Sequence, residues 1–201
     1  ARMTVSRHVY SPMLDRAEGV ISKYDHLFQR YAPLAGCDWR LMAAQCYQES
    51  CFDPKAHSWA GACGLMQIMP STADQLGLPR SQMYDPEQNV AHAAKYIAQL
   101  AKSFADIDNP TERTKFVLAR YNGGSFHVRD AMALARKNGK SPYLWSDVRH
   151  YILALQKAEY YNDPVVKNGY MRGSETADYV DRIMVRWAEY RGVKGAAASY
   201  K

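Results

Sequence analysis

The stretch from Gln45 to Ala73 constrains this 201-residue chain more than any other. Its first part reads as the end of an apolar helix. Asp38 stands where an N-cap belongs, and Leu41, Met42, Ala44, Gln45 and Gln48 follow at helical spacing. Glu49 therefore falls near the last turn of a mostly buried element, where a carboxylate is costly unless it is paired or keeps its proton. The second part is punctuated by Gly61 and Gly64, which permit positive φ or a close backbone approach. A buried acid followed by a glycine-rich, polar loop suits general acid chemistry. The same residues admit a plainer reading, with Glu49 in a structural salt bridge, the glycines in a simple turn, and Met66 and Met69 in the core. Spacing alone leaves both open.

The rest of the chain reads as helices. Val20, Ile21, Tyr24, Leu27, Phe28 and Tyr31 recur at helical intervals between Met13 and Tyr31, with Pro33 and Gly36 as the stop. The Glu49 helix spans about 38–52 and is halted by Asp53-Pro54. Ser71-Thr72-Ala73-Asp74 opens a short helix by capping logic, and Gly77 closes it. Asp85-Pro86-Glu87 combines a cap, a first-position proline and a first-turn acid, ahead of an apolar stripe from Val90 to Phe104. A helix from about Pro110 stops at Tyr121-Asn122-Gly123-Gly124. Ser125 is placed to cap the next, which ends at Asn138-Gly139. Trp145–Lys157 is helical. Residues 160–173 form a loop in which Tyr160, Tyr161 and Tyr170 are candidate groove-lining aromatics. A last helix over 174–191 turns Val180, Ile183, Met184, Trp187 and Tyr190 inward. No alternating strand pattern appears, so the expected fold is all-α.

Length and composition fit one catalytic domain over residues 16–192, with an N-terminal tail or linker remnant at 1–15 and a C-terminal tail at 193–201. With 47% apolar residues the chain can bury a core, and no apolar run is long enough to span a bilayer. The formal charge of +6 raises nucleic acid as a partner, but no basic run or binding motif supports it. Six scattered histidines and four cysteines without paired CxxC spacing predict no metal site. Cys37, Cys46, Cys51 and Cys63 read either as small buried thiols or, in an oxidising compartment, as disulfide partners. Cys46 and Cys51 are badly spaced for one another on a helix. A loop folding back over the helix end would pair Cys51 with Cys63.

Glu49-Ser50, Ser58-Trp59-Ala60-Gly61-Ala62, Gly64-Leu65-Met66-Gln67-Ile68-Met69-Pro70 and Thr72-Ala73 closely resemble the signature of the soluble lytic transglycosylases, members of the lysozyme superfamily that cleave peptidoglycan. Later blocks agree in order: Asp85-Pro86-Glu87-Gln88-Asn89-Val90, Leu118–Gly124, and Glu175-Thr176-Ala177-Asp178-Tyr179-Val180. Within that family the chain looks nearest to the C-terminal catalytic domain of the membrane-bound lytic murein transglycosylases F. The resemblance covers roughly residues 20–190 and implies a lysozyme-like helical fold with a substrate groove. It makes Glu49 the general acid. Ser58, Gln67, Met69, Tyr121 and Asn122 become substrate-groove residues, with Glu175 and Tyr179 on the last helix facing the same region. For Ser58, Met69 and Glu175 the residues alone allow a turn residue, a core filler and a helix-dipole partner, respectively. Two departures stand out. The family's usual Ala-Ala-Tyr-Asn-Ala-Gly is here Ala119-Arg120-Tyr121-Asn122-Gly123-Gly124, and Ala93-Ala94 stand where a glycine usually precedes Tyr-Leu.

The resemblance implies no cofactor, peptidoglycan glycan strands as partner, no nucleic acid and a monomer. It also implies an upstream solute-binding-like domain in a longer parent, and a place in the periplasm or at the outer membrane of a bacterial envelope. Three functions compete at this stage: a lytic transglycosylase, a water-using muramidase, and a glycan-binding module that kept the fold. A buried acid has no use in a mere binder, which favours the enzymes. Hydrolases need a second carboxylate roughly 5–9.5 Å from the acid. Asp53, one turn beyond Glu49, is better explained as a helix stop, and Glu175 opens a helix. The family's alternative uses one glutamate twice and the 6-hydroxyl of the muramoyl sugar as nucleophile.

Overall fold

The computed structural model describes residues 12–124 and 126–192. Among them nine α-helices and one 3₁₀ turn carry the fold, and the only β-pairing consists of isolated bridges. By compactness the chain divides into two units, residues 1–98 with 182–201 and residues 99–181. The chain passes from one to the other within its fourth and ninth helices.

In the first unit, α1 (Asp25–Ala35) packs on α2 (Trp39–Ser50). Asp38 caps α2 as expected, accepting the Arg40 N–H at 2.8 Å. The Arg40 guanidinium, hydrogen-bonded to Asp38, holds that carboxyl below the usual carboxylate range. Helix α1 departs from expectation at both ends. Residues 13–24 are not helical, because Asp25 accepts the N–H groups of Ile21 and Ser22 at 2.8 Å each, and Leu14–Ile21 folds back through an Asp15–Val20 bridge. At the other end Pro33 lies inside the helix, which stops only at Gly36, φ 74°. Next come α3 (Pro70–Leu76), a 3₁₀ turn (Arg80–Gln82) and α4 (Pro86–Ser103). Helix α3 starts at Pro70 with Met69 as N-cap, earlier than Ser71 suggested, since a first-position proline presets φ. Gly77 closes it, and Asp85 caps α4 by accepting the Gln88 N–H at 2.9 Å. Phe28, Met42, Leu65, Met66, Leu76 and Val90 form the buried centre of this unit.

The second unit holds α5 (Pro110–Gly123), α6 (His127–Lys137), α7 (Trp145–Ala154), the short α8 (Ala158–Tyr161) and the start of α9 (Gly173–Tyr190). Asn109 caps α5, and Glu112 in its first turn reaches across to accept the Trp145 N–H at 2.8 Å, so one acid serves two helix starts. Phe104, Phe116 and Trp145 form an aromatic chain with centroids 5.9 and 5.4 Å apart. Helices α6 and α7 pack together, and the buried Asp130 of α6 accepts three hydrogen bonds from Lys167 and Asn168. Helix α7 ends at Ala154 rather than at Lys157. Tyr161 and Tyr170 pack edge to face at 6.0 Å. The expected Ser125 cap lies outside the described residues.

Helix α9 buries Val180, Ile183 and Tyr190 as expected, but Met184 and Trp187 are only half-buried. Arg186 takes the inward position instead, at 1% exposure. Its Nη1 donates to Gln48 Oε1 at 3.0 Å, and its guanidinium lies 4.5 Å from the centroid of the Tyr47 ring. The two residues before Glu49 are thus held from α9, within the first unit.

Candidate active site

Glu49 occupies the last full turn of α2 and is half-buried. The backbone immediately after it is unusual. Cys51 and Phe52 both adopt positive φ, 54° and 63°, without being glycine, a conformation that costs about 1–3 kcal/mol at each site. Two sets of contacts hold them there. The Phe52 ring packs against Phe28 and Tyr47, at 6.3 and 5.7 Å. Ser50 Oγ donates to Leu65 O at 2.8 Å, and the Cys46 thiol donates to the same carbonyl at 3.4 Å. The turn bearing Glu49 is thereby tied to the glycine loop.

That loop is itself a small hydrogen-bonded frame. His57 bridges Cys63, and Cys63 bridges Ile68. Gly64 N–H reaches Ala56 O at 2.8 Å. Asn89, fully buried at the start of α4, saturates its amide on the loop: Oδ1 accepts the Met66 N–H at 2.8 Å, and Nδ2 donates to Cys63 O and Met83 O at 3.0 and 2.8 Å. Gly64 has φ 80°, and a Cβ there would stand 2.5 Å from Asn89 Nδ2 and 2.8 Å from Met83 O. Gln67 also has positive φ, 51°, and its Nε2 donates to Ala56 O and Gly64 O. Ser58 Oγ accepts the Ala62 N–H at 2.9 Å. Met69 is exposed at the start of α3. Among the first-unit residues expected from sequence, Ser58 and Gln67 share this frame, Met69 leaves it, and Glu49 is joined to it through Ser50.

In the second unit, Asn122 Oδ1 accepts a 2.9 Å hydrogen bond from the buried Thr176 Oγ1, bringing the end of α5 to the start of α9. At Gly123, one of the departures from the family pattern, a Cβ would stand 2.6 Å from the Met171 methyl, the movable end of a flexible side chain, and 3.2 Å from Thr176 Oγ1. Tyr121 is half-buried and Tyr179 buried. Glu175 lies in the first turn of α9 with its side chain 62% exposed, 4.0 Å from Arg172, a placement that suits the helix dipole. Asp53 is exposed, and its Oδ1 accepts the Lys55 N–H at 2.9 Å, as expected of a helix stop.

A family model described as the transglycosylase SLT domain matches residues 26–144. The chain belongs to the transglycosylase SLT domain family. Among curated proteins, the SLT chain is 39% identical to a membrane-bound lytic murein transglycosylase F of Desulfosudis oleivorans over 164 residues, 82% of this chain and 35% of that protein. It is 40% identical to the protein of the same name from Shewanella pealeana over 163 residues, 81% of this chain and 33% of that one. The SLT chain thus spans about a third of those relatives' length. Among solved structures, the 70 kDa soluble lytic transglycosylase of Escherichia coli superposes with a TM-score of 0.59 at 23% identity, over 87% of this chain and 25% of that one. The lytic transglycosylase Slt of Pseudomonas aeruginosa, solved as an inactive glutamate-to-glutamine mutant, gives 0.57 at 23% identity, over 91% and 25%. These superpositions establish the all-α, lysozyme-like fold.

Asn89, Ser50 and Arg186 were not among the expected site residues, though each positions the Glu49 turn or its loop. The available signals were polar residues at stripe positions, Asn89 beside Val90 and Arg186 three after Ile183.

The expected Cys51–Cys63 disulfide is not formed. None of the four cysteines is in a disulfide: Cys51 is the left-handed cap of α2, while the Cys63 thiol turns to Gly61 O at 3.3 Å and the His57 ring at 3.7 Å. Burial pushes the Cys46 thiol above its ordinary range and the Cys37 thiol up to about 12. Denatured without reductant, the protein should titrate four thiols; a count of two would contradict this arrangement. Among the described residues no cluster of three or more His, Cys, Asp or Glu could hold a metal ion, and no helix is long and apolar enough to cross a membrane.

Proposed function

We propose that this SLT domain is a lytic transglycosylase that cleaves the MurNAc-β-1,4-GlcNAc bond of peptidoglycan without consuming water. One observation carries the choice of residue: Glu49, in the family's signature block, sits in a helix turn held by two left-handed residues and bonded through Ser50 to the glycine loop. Its protonated carboxyl gives a proton to the glycosidic oxygen as the C1–O bond breaks and the muramoyl ring takes on oxocarbenium character. The resulting carboxylate then removes the proton from that sugar's 6-hydroxyl as O6 closes on C1. The proton returns to Glu49, and the product is a 1,6-anhydromuramoyl end. Holding the hydroxyl against its own anomeric carbon makes the attack intramolecular, which replaces the ordering that a water attack would need.

Residues of both units that the family resemblance singles out have free valences for the sugars. Ser58 Oγ accepts from Ala62 and keeps its O–H to donate, and Gln67 spends Nε2 on the loop and keeps Oε1. Asn122 spends Oδ1 on Thr176 and keeps two N–H donors. With Met69, Tyr121, Glu175 and Tyr179 they are the substrate-contacting set in this reading. The domain acts as a monomer at the periplasmic or outer-membrane face of the envelope, as the catalytic part of a longer protein with an upstream solute-binding-like domain. Purified sacculi test the proposal: the chain should clear their turbidity and release soluble muropeptides, and unchanged turbidity would contradict it.

A further inference from the structure

The largest exposed apolar side chain in the described structure is Trp59, with 90% of its surface open to solvent. Both faces of a ring this bare are open to a ligand. The residue is not on a loose loop. Ser58–Gly61 is a tight turn closed by Gly61 N–H to Ser58 O at 2.9 Å, and the pair Ser58 and Ala62 is joined by two further bonds, Ser58 N–H to Ala62 O and Ala62 N–H to Ser58 Oγ, both 2.9 Å. Trp59 stands at the first corner of that turn, and the His57–Cys63 bridge supports its base. Its ring makes no aromatic or cation contact among the described residues, and its turn neighbours Ala60 and Gly61 are too small to cover it.

We propose that Trp59 is a glycan-stacking platform that sets the affinity of this site for its sugar chain. The inference rests on the transglycosylase reading above. A β-linked pyranose presents a flat C–H face that packs against an aromatic ring, and the indole N–H can donate to a hydroxyl or acetamido oxygen at the ring's rim. Only two torsions need be fixed on binding, and the turn already fixes the backbone. The turn also carries Ser58, so a sugar on Trp59 lies beside a free hydroxyl donor. A second aromatic stands close by in the frame: the Tyr84 hydroxyl pairs with His57 Nδ1 at 2.7 Å, their rings 6.4 Å apart and Tyr84 partly exposed. A protein-docking surface would need a contiguous apolar area, whereas this is one ring on a small-residue turn.

The test is binding of soluble, peptide-free glycan strands to the Glu49→Gln chain, so that turnover does not enter, with Trp59→Ala, Trp59→Phe and Trp59→Tyr added singly. Adding strands to the Glu49→Gln chain should shift its tryptophan emission to the blue, and Trp59→Phe should abolish that shift. Trp59→Ala should weaken binding about tenfold, the loss of one stacked aromatic contact, and Trp59→Tyr should recover most of it. With Glu49 intact, Trp59→Ala should raise KM on solubilised peptidoglycan similarly while kcat stays within about twofold. Equal affinity in the Trp59→Ala chain, or an emission shift that survives Trp59→Phe, would overturn the platform. Binding through Trp59 by a chain whose Glu49 form released no product would leave the platform standing and remove the transglycosylase reading.

Discussion

Glu49→Gln is expected to fold as the parent does and to lose at least about 10²–10⁴-fold of its activity on peptidoglycan. The carboxamide matches the carboxyl in size, so the α2 turn, the Ser50–Leu65 bond and the Phe52 packing have no reason to move. It neither protonates the leaving oxygen nor accepts the 6-hydroxyl proton, so both halves of the reaction fail together. The comparison that gives this meaning is Asp53→Asn. Asp53 is exposed and already accepts the Lys55 N–H, so its removal should cost little activity. Initial rates of muropeptide release, with unfolding midpoints as the control for folding, decide the matter. Parent-like rates from Glu49→Gln would take Glu49 out of the mechanism.

Gly64→Ala should be the most damaging single-methyl change in the glycine loop. Its φ of 80° costs a residue bearing a Cβ about 1–2 kcal/mol. The methyl would also press on Asn89 Nδ2 at 2.5 Å and Met83 O at 2.8 Å. The Asn89 amide cannot swing away without dropping its bonds to Cys63 O and Met83 O, and the Met83 carbonyl is backbone. Overpacking of this kind adds about 1–3 kcal/mol, for a total of roughly 2–5 kcal/mol. Gly61→Ala supplies the contrast: φ is also positive, 101°, but the nearest atom to its Cβ would be Pro70 Cδ at 3.9 Å, so only the backbone cost applies. Denaturant unfolding of the two variants should rank Gly64→Ala as clearly the less stable. Equal stability would mean that the Asn89 tie does not hold the loop.

What could be read from the sequence was mainly local. The Asp38 cap, the Asp85-Pro86 start and the Gly77 stop depend on neighbours within one turn, and each is found in place. What could not be read depends on partners far along the chain. Residues 13–24 have a helical stripe, but Asp25 takes the Ile21 and Ser22 N–H groups out of any helix. Arg186 occupies an inward position because Gln48 and Tyr47 receive its guanidinium, 138 residues away for Gln48, and hydrophobic periodicity has no means of placing a buried cation. Asn89 is a polar residue in an apolar stripe whose use becomes visible only when the 63–66 loop folds onto it. The Cys51–Cys63 pairing assumed that the loop returns over the helix end with both thiols facing, and it returns with Leu65 O in that place.

The masses of the products released from purified sacculi test the central claim most directly. Among the carboxylates weighed as a second catalytic group, Asp53 is committed to its turn and Glu175 is exposed at a helix start, so a water-activating base is not expected to act with Glu49. Digestion in heavy-oxygen water separates the two chemistries. The account predicts muropeptides ending in 1,6-anhydromuramoyl groups, one water lighter than their reducing-end counterparts and free of the label. Reducing-end muropeptides carrying the heavy oxygen as the main product would contradict it and make the protein a hydrolase.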